Sequence, residues 1–322
     1  MKNCKQRTDV VVFHSHGVGQ NIRLRALPQE GETLRAESWE IGTDGGKGSN
    51  AALALARLGL SVELIAKVGD DLWADLCLDT LCASGMGLGG LIRDPAMSTQ
   101  IGAVMVDDLG RNSIVLGGST ASFTDAEIHR LLGAAAPFRF FVTGFEIEPD
   151  SALRAAQHAK QQGAFTVLNP SPVPQAGLAP TPYIDLLVLN EAEAHALLEH
   201  RGEHLSAREV LAALRQQYEI CSAVITRGAL GCVGLSDSGY FELPGIPVRA
   251  VDTSGAGDAF LAAAVAALCL GHDLRSACEW ATLYAAQAVR LRGTFPAYET
   301  LEAMKRKFPE QTHQFLFPKA SR

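Results

Sequence analysis

The residues best placed to do chemistry lie in one short stretch, Asp252-Thr253-Ser254-Gly255-Ala256-Gly257-Asp258. A long Ala-rich segment follows, which we predict to be a helix capped by a side-chain oxygen of Asp252, Thr253 or Ser254. Bare amides at the positive end of a helix favour a phosphate or a developing oxyanion. Asp258 stands one turn inside, and a carboxylate beside an anion is unfavourable unless it acts as a base. The stretch predicts an anion site next to a general base, and the plain alternative is a well-capped core helix.

The rest of the chain follows an α/β pattern. Short apolar runs at residues 61–68, 138–143, 165–168, 184–189 and 222–226 are separated by helical segments, and residues 9–13 form a first buried strand. This alternation predicts a mostly parallel sheet covered by helices on both faces. A strand-like run at residues 245–251 is expected to lead into the Ala-rich helix.

Two runs outside this alternation predict a second, smaller sheet. Residues 100–106 and 113–116 are typical of a hairpin around a turn at residues 107–110. Together with strands near residues 22–41, they would form an accessory sheet. Residues 302–322 are interpreted as a terminal helix and tail.

A second glycine cluster, Gly42-Thr43-Asp44-Gly45-Gly46-Lys47-Gly48-Ser49-Asn50, also precedes a helical segment. It is not a P-loop, because Gly48 and not Ser or Thr follows Lys47. The earlier run from His16 to Ile22 is not a dinucleotide fingerprint, since a third glycine and a following helix are missing. Glycines here let the backbone approach a small polar ligand closely, although a plain tight turn explains them equally well.

The composition of the chain indicates which classes of partner and which cellular compartment to expect. The chain has 322 residues and a net charge of -7, which argues against nucleic acid as the main partner. The seven cysteines are scattered and lack paired CxxC spacing, which is typical of buried thiols in a reducing cytosol. The longest apolar run, residues 259–271, is too short to span a bilayer. We therefore expect a cytoplasmic protein without membrane contact.

The chain resembles the ribokinase-like members of the PfkB carbohydrate kinase family. Its two glycine-rich stretches, residues 45–59 and 252–260, resemble the two signatures of that family, and supporting segments fall in the family's order at residues 28–33, 68–71, 168–170, 190–193 and 226–231. The resemblance implies a three-layer α/β fold with a small β-sheet lid. It places a single kinase domain at residues 9–300, with lid strands from about 14–41 and 98–118, and a helix and tail at 301–322.

The resemblance also implies an ATP-dependent transfer of the γ-phosphoryl group to a sugar hydroxyl. Asp258 would accept the hydroxyl proton, and the amides of Gly255, Ala256 and Gly257 would stabilise the charge on the moving phosphoryl group. The positions that match sugar-contacting residues are Gly46, Lys47, Asn50 and Glu146.

ATP and Mg²⁺ are the implied cofactors, with K⁺ as a further candidate. The matching nucleotide-binding positions are Asn190, Thr226, Gly228 and Gly231, and Glu193 would act on Mg²⁺ indirectly. Asn190 and Glu193 also have the spacing of a helix capping box, which is a structural explanation for the same pair. The monovalent-cation positions are Asp252, Ser254, Val289 and Gly293.

The first loop departs from the family pattern. Ribokinases carry an Asn and an Asp there that hold sugar hydroxyls, and this chain has Gly17 and Gly19 instead. Either neighbours such as His16, Gln20 or Asn21 take over, or the substrate is not ribose. The basic residues Lys47, Arg23 and Arg25 leave a phosphorylated or acidic sugar open.

Three functions follow from the resemblance. A sugar kinase agrees best with the motifs, a nucleoside kinase of the same superfamily is second, and a non-catalytic sugar-sensing protein is third. Retention of Asp258 and the glycine turn argues against the third. The exposed strands of the lid also leave open a homodimer formed through the lid.

Overall fold

The computed structural model describes residues 8–109, 111–175, 177–199 and 204–318. The strands are β1 (Thr8–Phe13), β2 (Gly17–Arg23), β3 (Ser38–Ile41), β4 (Val62–Gly69), β5 (Gly87–Asp94), β6 (Gln100–Val106), β7 (Asn112–Gly117), β8 (Phe138–Gly144), β9 (Phe165–Asn169), β10 (Leu186–Asn190), β11 (Ser222–Thr226), β12 (Cys232–Ser236) and β13 (Gly239–Leu243). The α-helices are α1 (Gly46–Arg57), α2 (Leu78–Ala83), α3 (Asp125–Ala135), α4 (Pro149–Gln161), α5 (Glu191–Leu197), α6 (Ala207–Tyr218), α7 (Ala256–Cys269), α8 (Leu274–Ala288), α9 (Leu301–Lys307) and α10 (Pro309–Leu316).

The main sheet has the strand order β13-β12-β11-β10-β9-β8-β1-β4-β5. The pairs from β5 to β11 are parallel, and β12 and β13 join antiparallel at one edge. Strand β1 lies near the centre, where Val10 to Phe13 are fully buried. A continuous apolar run is what a strand covered on both faces requires.

Two hydrophobic cores flank this sheet. Val10 and Val12 of β1 belong to one core, and Val11 and Phe13 belong to the other, because successive side chains of a strand point to opposite faces. Helices α1, α7 and α8 pack on the first face, and α3, α4 and α6 pack on the second. The result is a three-layer α/β fold, which confirms the predicted fold class.

The second sheet has the order β3-β2-β6-β7, with β2 and β6 parallel. The chain passes from β1 of the main sheet directly into β2 of the small sheet, so the small sheet begins at the carboxyl end of β1. A small lid sheet was predicted, and its presence is confirmed. Two parts of the predictions lie outside the described residues. These are Gly110 of the hairpin turn and residues 319–322 of the tail.

One prediction of a strand was wrong. Residues 245–251 form no strand. The chain there packs closely against a neighbouring loop, and a Cβ on Gly245 would overlap the carbonyl of Ala229. After β4, a short 3₁₀ turn, Leu72–Asp75, precedes α2. Strands β5 and β13 were not predicted. Among the described residues, no helix has the length and apolar character needed to cross a bilayer.

Candidate active site

The site begins where two neighbouring parallel strands end. Phe13 of β1 pairs with Thr143 of β8, so the residues that follow each strand lie side by side. Ser15 Oγ donates a hydrogen bond of 2.6 Å to Glu146 Oε2. The same oxygen accepts a hydrogen bond of 2.8 Å from the backbone amide of Lys47, at the start of α1. The carboxyl edge of the sheet therefore holds Glu146 against the first turn of α1.

Helices α1 and α7 contribute the two groups at the centre of the site. Asn50 Nδ2 donates a hydrogen bond of 2.9 Å to Asp258 Oδ2, and Lys47 Nζ lies 3.8 Å from Asp258 Oδ1. Asn50 Oδ1 accepts hydrogen bonds from the amide of Gly45 and the hydroxyl of Thr294. Because its oxygen is occupied by donors, the amide nitrogen of Asn50 is turned towards Asp258.

The ionisation of these groups is coupled. Burial raises the pKa of Glu146 to about 6, although Lys47 and the Ser15 hydroxyl favour its charged form. Burial also raises the pKa of Asp258, against the opposing effects of Lys47 and Asn50. Burial by itself would lower the pKa of the Lys47 ammonium, but the carboxylates around it, Asp258 first, outweigh this and raise its pKa. Lys47 therefore favours the charged form of both buried carboxyls, Asp258 and Glu146.

Helix α7 begins without a side-chain cap. Its N-cap is Gly255 in the left-handed conformation with φ 70°, and the first helical bond runs from Ala259 N to Gly255 O. The amide of Ala256 donates to Thr253 O at 3.3 Å. Within the described part of the chain, the amides of Gly255 and Gly257 have no hydrogen-bond acceptor. Open amides thus face the site beside Asp258.

The predicted cap by Asp252, Thr253 or Ser254 is wrong. Asp252 is directed inward instead, with Oδ1 accepting from Ser254 N at 2.9 Å and Oδ2 accepting from Gly293 N at 3.0 Å. The carbonyl of Val289 accepts the amides of Val251 and Asp252, at 2.7 and 3.2 Å. The four residues predicted for a monovalent cation therefore meet in one place, where they hold the approach to α7.

A cavity of about 110 Å³ lies between the small sheet and these helices. Its polar lining includes Lys47, Asn50, Glu146 and Asp258, and its apolar wall is formed by the small sheet. The lining residues are Gly17, Val18, Gly19, Asp44, Gly46, Lys47, Asn50, Gln100, Gly102, Val104, Ile114, Leu116, Glu146, Ser254, Gly255, Gly257 and Asp258. The hydroxyl of Ser254 is buried there without a hydrogen-bond partner in the described structure.

The residues expected to replace the missing side chains at Gly17 and Gly19 form hydrogen bonds with other residues instead. Gln20 Oε1 accepts from Trp39 Nε1 at 3.2 Å, Asn21 donates to Asp252 at 3.3 Å, and His16 Nδ1 lies 2.7 Å from Ser49 Oγ. None of the three lines the cavity. Arg23 and Arg25 are also turned away and contact Asp108 and Glu37.

The residues predicted to bind nucleotide lie further along the same sheet edge. Asn190 ends β10 and pairs in register with Thr226 at the end of β11. Asn190 and Glu193 form a capping box, with hydrogen bonds of 2.8 and 2.9 Å. Gly228 has φ 54° and open space beside it, whereas a Cβ on Gly231 would overlap the carbonyl of Leu243. Close packing of the chain is therefore sufficient to explain Gly231.

Sequence reasoning missed Asp44 and Ser15. Asp44 lines the cavity, and Ser15 contacts Glu146. Asp44 was treated as part of the second glycine cluster, and Ser15 was not singled out. The only local signal was an acidic residue placed directly before Gly45-Gly46-Lys47.

The fold and this site define a class of protein. A doubly covered parallel sheet carries a buried carboxylate beside an uncapped helix N-terminus, and a small sheet covers the cavity between them. Such a site suits the transfer of an anionic group to a small acceptor.

Comparison with known proteins agrees with this class. The family model described as pfkB family carbohydrate kinase matches residues 18–301. A deoxyribokinase from Salmonella typhi is 28% identical over 296 residues, which cover 91% of this chain and 96% of that protein. A ribokinase from Bacillus subtilis (strain 168) is 31% identical over 264 residues, which cover 81% and 86%. The crystal structure of ribokinase from Cryptococcus neoformans var. grubii serotype A in complex with ADP has a TM-score of 0.78 at 25% identity, covering 94% of this chain and 100% of that chain.

The chain belongs to the pfkB family of carbohydrate kinases. The resemblance inferred from the two glycine-rich motifs is confirmed, and so is the class of enzyme, a phosphotransferase that acts on a carbohydrate.

Proposed function

We propose that this protein transfers the γ-phosphoryl group of ATP to a hydroxyl of a small sugar, with Asp258 as the general base. The observation that carries the proposal is the position of Asp258, which is buried beside the open amides of Gly255 and Gly257 on the wall of the cavity. A hydroxyl in the cavity would meet the carboxylate while the phosphoryl group meets the amides. The names of the relatives, ribokinase and deoxyribokinase, support a sugar as acceptor.

Asp258 is suited to take the hydroxyl proton. Burial raises its pKa, which strengthens it as a base, while Lys47 and Asn50 favour its ionised form. A general base works best when its pKa lies near the operating pH and when the charged form is populated. The hydroxyl loses its proton to Asp258 as its oxygen bonds to the phosphorus, and the leaving oxygen stays on ADP.

The charge on the moving phosphoryl group would be stabilised by the start of α7. The amides of Gly255 and Gly257 are open, and the helix dipole adds a positive potential. The Ala256 amide contributes less in this geometry, because it already donates to Thr253 O at 3.3 Å. Lys47 supplies a full positive charge, with its Nζ 3.8 Å from Asp258 Oδ1.

The remaining polar residues would hold the sugar. Gly46, Lys47, Asn50 and Glu146 line the cavity, and Glu146 is fixed by Ser15 and the Lys47 amide. A cavity of roughly 150 Å³ in another protein accommodates one benzene ring. At about 110 Å³, this cavity is of the size that holds one small ring.

ATP would lie along the edge formed by the ends of β10 and β11. Thr226 and Asn190 are neighbours there, and Gly228 leaves open space beside the backbone. The solved relative in complex with ADP supports a nucleotide in this fold. Gly231 is explained by packing and is not required for this role. Mg²⁺, when bound, would neutralise phosphate charge. Glu193, which also caps α5, would act on it indirectly.

Three further assignments stay predictions. The cation site at Asp252, Ser254, Val289 and Gly293 is weakened as a ligand set, because the Val289 carbonyl already accepts two amides. A homodimer through the lid is supported by the exposed apolar side chains of Trp39 and Ile41 on the edge strand β3. A reducing, cytoplasmic compartment agrees with the free thiols of the described cysteines.

A screen of phosphoryl acceptors tests the proposed function. ADP release from ATP and Mg²⁺ is measured with ribose, deoxyribose, fructose and adenosine, each against a sample without acceptor. We expect release that depends on a sugar. Release that depends on adenosine alone would identify a nucleoside kinase, and the absence of acceptor-dependent release would exclude both kinase functions.

A further inference from the structure

Strand β2 passes the cavity with two glycines, and they lack side chains for different reasons. A Cβ on Gly17 would lie 2.5 Å from the carbonyl oxygen of Gln100 in the paired strand β6, so no side chain fits there. A Cβ on Gly19 would overlap the Cβ of Asp44 and lie 2.9 Å from its Cγ. The space beside Gly19 is therefore filled by the side chain of Asp44.

Backbone hydrogen bonds fix the position of Asp44 beside Gly19. Gly19 N donates to Asp44 O at 2.7 Å, and Gly17 N donates to Gly45 O at 2.8 Å. These bonds hold the segment before α1 against β2, with the Asp44 Cα 3.3 Å from the position of a Cβ on Gly19. Residues 19 and 44 thus share one side-chain position on the cavity wall, and only one of them can fill it.

The carboxylate of Asp44 is tied to the catalytic centre. Its Oδ1 accepts hydrogen bonds from Gly46 N at 2.8 Å and from Asn50 Nδ2 at 3.3 Å. The same Asn50 nitrogen donates to Asp258. One amide group therefore sets the separation of the two carboxylates. Because both of these bonds reach Oδ1, Oδ2 keeps its acceptor capacity for a ligand in the cavity.

We propose that Asp44 is the residue that accepts hydrogen bonds from the non-reacting hydroxyls of the sugar, in place of a side chain at position 19. This inference rests on the proposed function and specifies its substrate class. Asp44, Glu146 and Asp258 surround the cavity with three carboxyls, and Lys47 is the basic side chain among the lining residues. The substrate is therefore a neutral sugar, since a phosphorylated or acidic sugar would be repelled.

The isosteric variant Asp44→Asn tests the role of the charge. We expect the KM for the sugar and its Kd, measured by calorimetry, to rise about 10- to 100-fold, because hydrogen bonds to charged groups are the strong ones. The KM for ATP should stay within about twofold. Asp108→Asn, which changes an exposed carboxylate of the lid, is the matched control. It should leave the KM and Kd for the sugar and the KM for ATP unchanged.

Moving the carboxylate from residue 44 to residue 19 tests whether the two residues share one side-chain position. Gly19→Asp alone should bind sugar poorly, because its side chain meets Asp44. The double variant Asp44→Gly with Gly19→Asp should recover sugar affinity to within about tenfold of wild type. A purely structural role for Asp44 would not give this recovery, and it would leave Asp44→Asn with normal sugar affinity.

The outcomes separate the two proposals. If wild type phosphorylates a sugar but Asp44→Asn keeps its sugar affinity, the inference about Asp44 is wrong and the proposed function stands. If wild type uses a sugar phosphate better than the neutral sugar, the assigned substrate class is wrong. If wild type phosphorylates no sugar, the proposed function fails, and the assignment of Asp44 fails with it.

Discussion

Asn50 and Asp258, 208 residues apart in the sequence, are joined by a hydrogen bond of 2.9 Å. This bond links the two glycine-rich motifs, because Asn50 lies on α1 and Asp258 in the first turn of α7. It also orients the carboxylate whose proton transfer the proposed mechanism requires. The contact of α1 with α7 is therefore part of the active site as well as of the core.

The first prediction separates the roles of two glycines. Gly257→Ala should fold normally, because nothing lies within 4 Å of a Cβ there, yet turnover should fall at least tenfold as a methyl enters the anion site. Gly255→Ala should instead unfold more easily, by about 2 kcal/mol or more, because φ is 70° and Tyr298 Oη would lie 2.5 Å from the new Cβ. Thermal unfolding and steady-state kinetics distinguish them. Normal turnover in Gly257→Ala would show that the start of α7 does not bind the phosphoryl group.

Much of the fold follows from local sequence. The continuous apolar run of β1 indicates a strand covered on both faces, and Gly257-Asp258 at the start of an Ala-rich helix indicates an anion site with a base. These signals are local because each depends on neighbouring residues in one segment.

What the sequence does not reveal depends on contacts between distant segments. Asp252 is a residue type that often caps helices, but its carboxylate accepts a hydrogen bond from the amide of Gly293 instead of capping α7. Asp44 reaches the cavity because Gly19 leaves space on another strand. Neither arrangement is encoded in spacing or periodicity.

The second prediction concerns the pH dependence set by Lys47. Glu146 and Asp44 have a pKa of about 6, so kcat/KM of the wild type should decline as the pH falls below about 6. Lys47→Gln removes a charge that lowers the pKa of Asp258 and Glu146. The acid limb should move upward by about one pH unit or more. Lys305→Gln on the exposed side of α9 is the control, and an unmoved limb in Lys47→Gln would contradict this coupling.

The third prediction distinguishes the two roles of Glu193. Glu193→Gln keeps the capping box, since Gln also serves at this position, but removes the charge. We expect unchanged thermal stability and a higher Mg²⁺ concentration at half-maximal rate. Glu209→Gln makes the same change in the capping box of α6 and should leave the Mg²⁺ dependence unchanged. If the two variants behave alike, Glu193 acts only as a cap.

The fourth prediction concerns acid stability. Burial, with a smaller effect of Lys47, lowers the pKa of His14 from 6.5 to about 3. The unfolded chain therefore binds a proton at His14 that the folded chain does not. The contribution of neutral His14 to the free energy of unfolding is fully present above pH 6.5 and is lost as the pH falls towards 3.

Urea unfolding of wild type and His14→Gln at pH 6.5 and 5 measures this contribution. The difference in unfolding free energy between the two proteins should change by about 2 kcal/mol over that interval, with wild type losing more. His313→Gln on the surface of α10 supplies the control curve. A difference that does not vary with pH would show that His14 is not buried as a neutral group.

The proposed mechanism depends most on Asp258 as the base. Asp258→Asn keeps the shape of the side chain and can still accept the hydrogen bond from Asn50. With the best sugar acceptor found, its kcat should fall by roughly 10²–10⁴ relative to wild type, while nucleotide affinity and thermal unfolding stay unchanged. A kcat within a few fold of wild type would show that another group takes the proton.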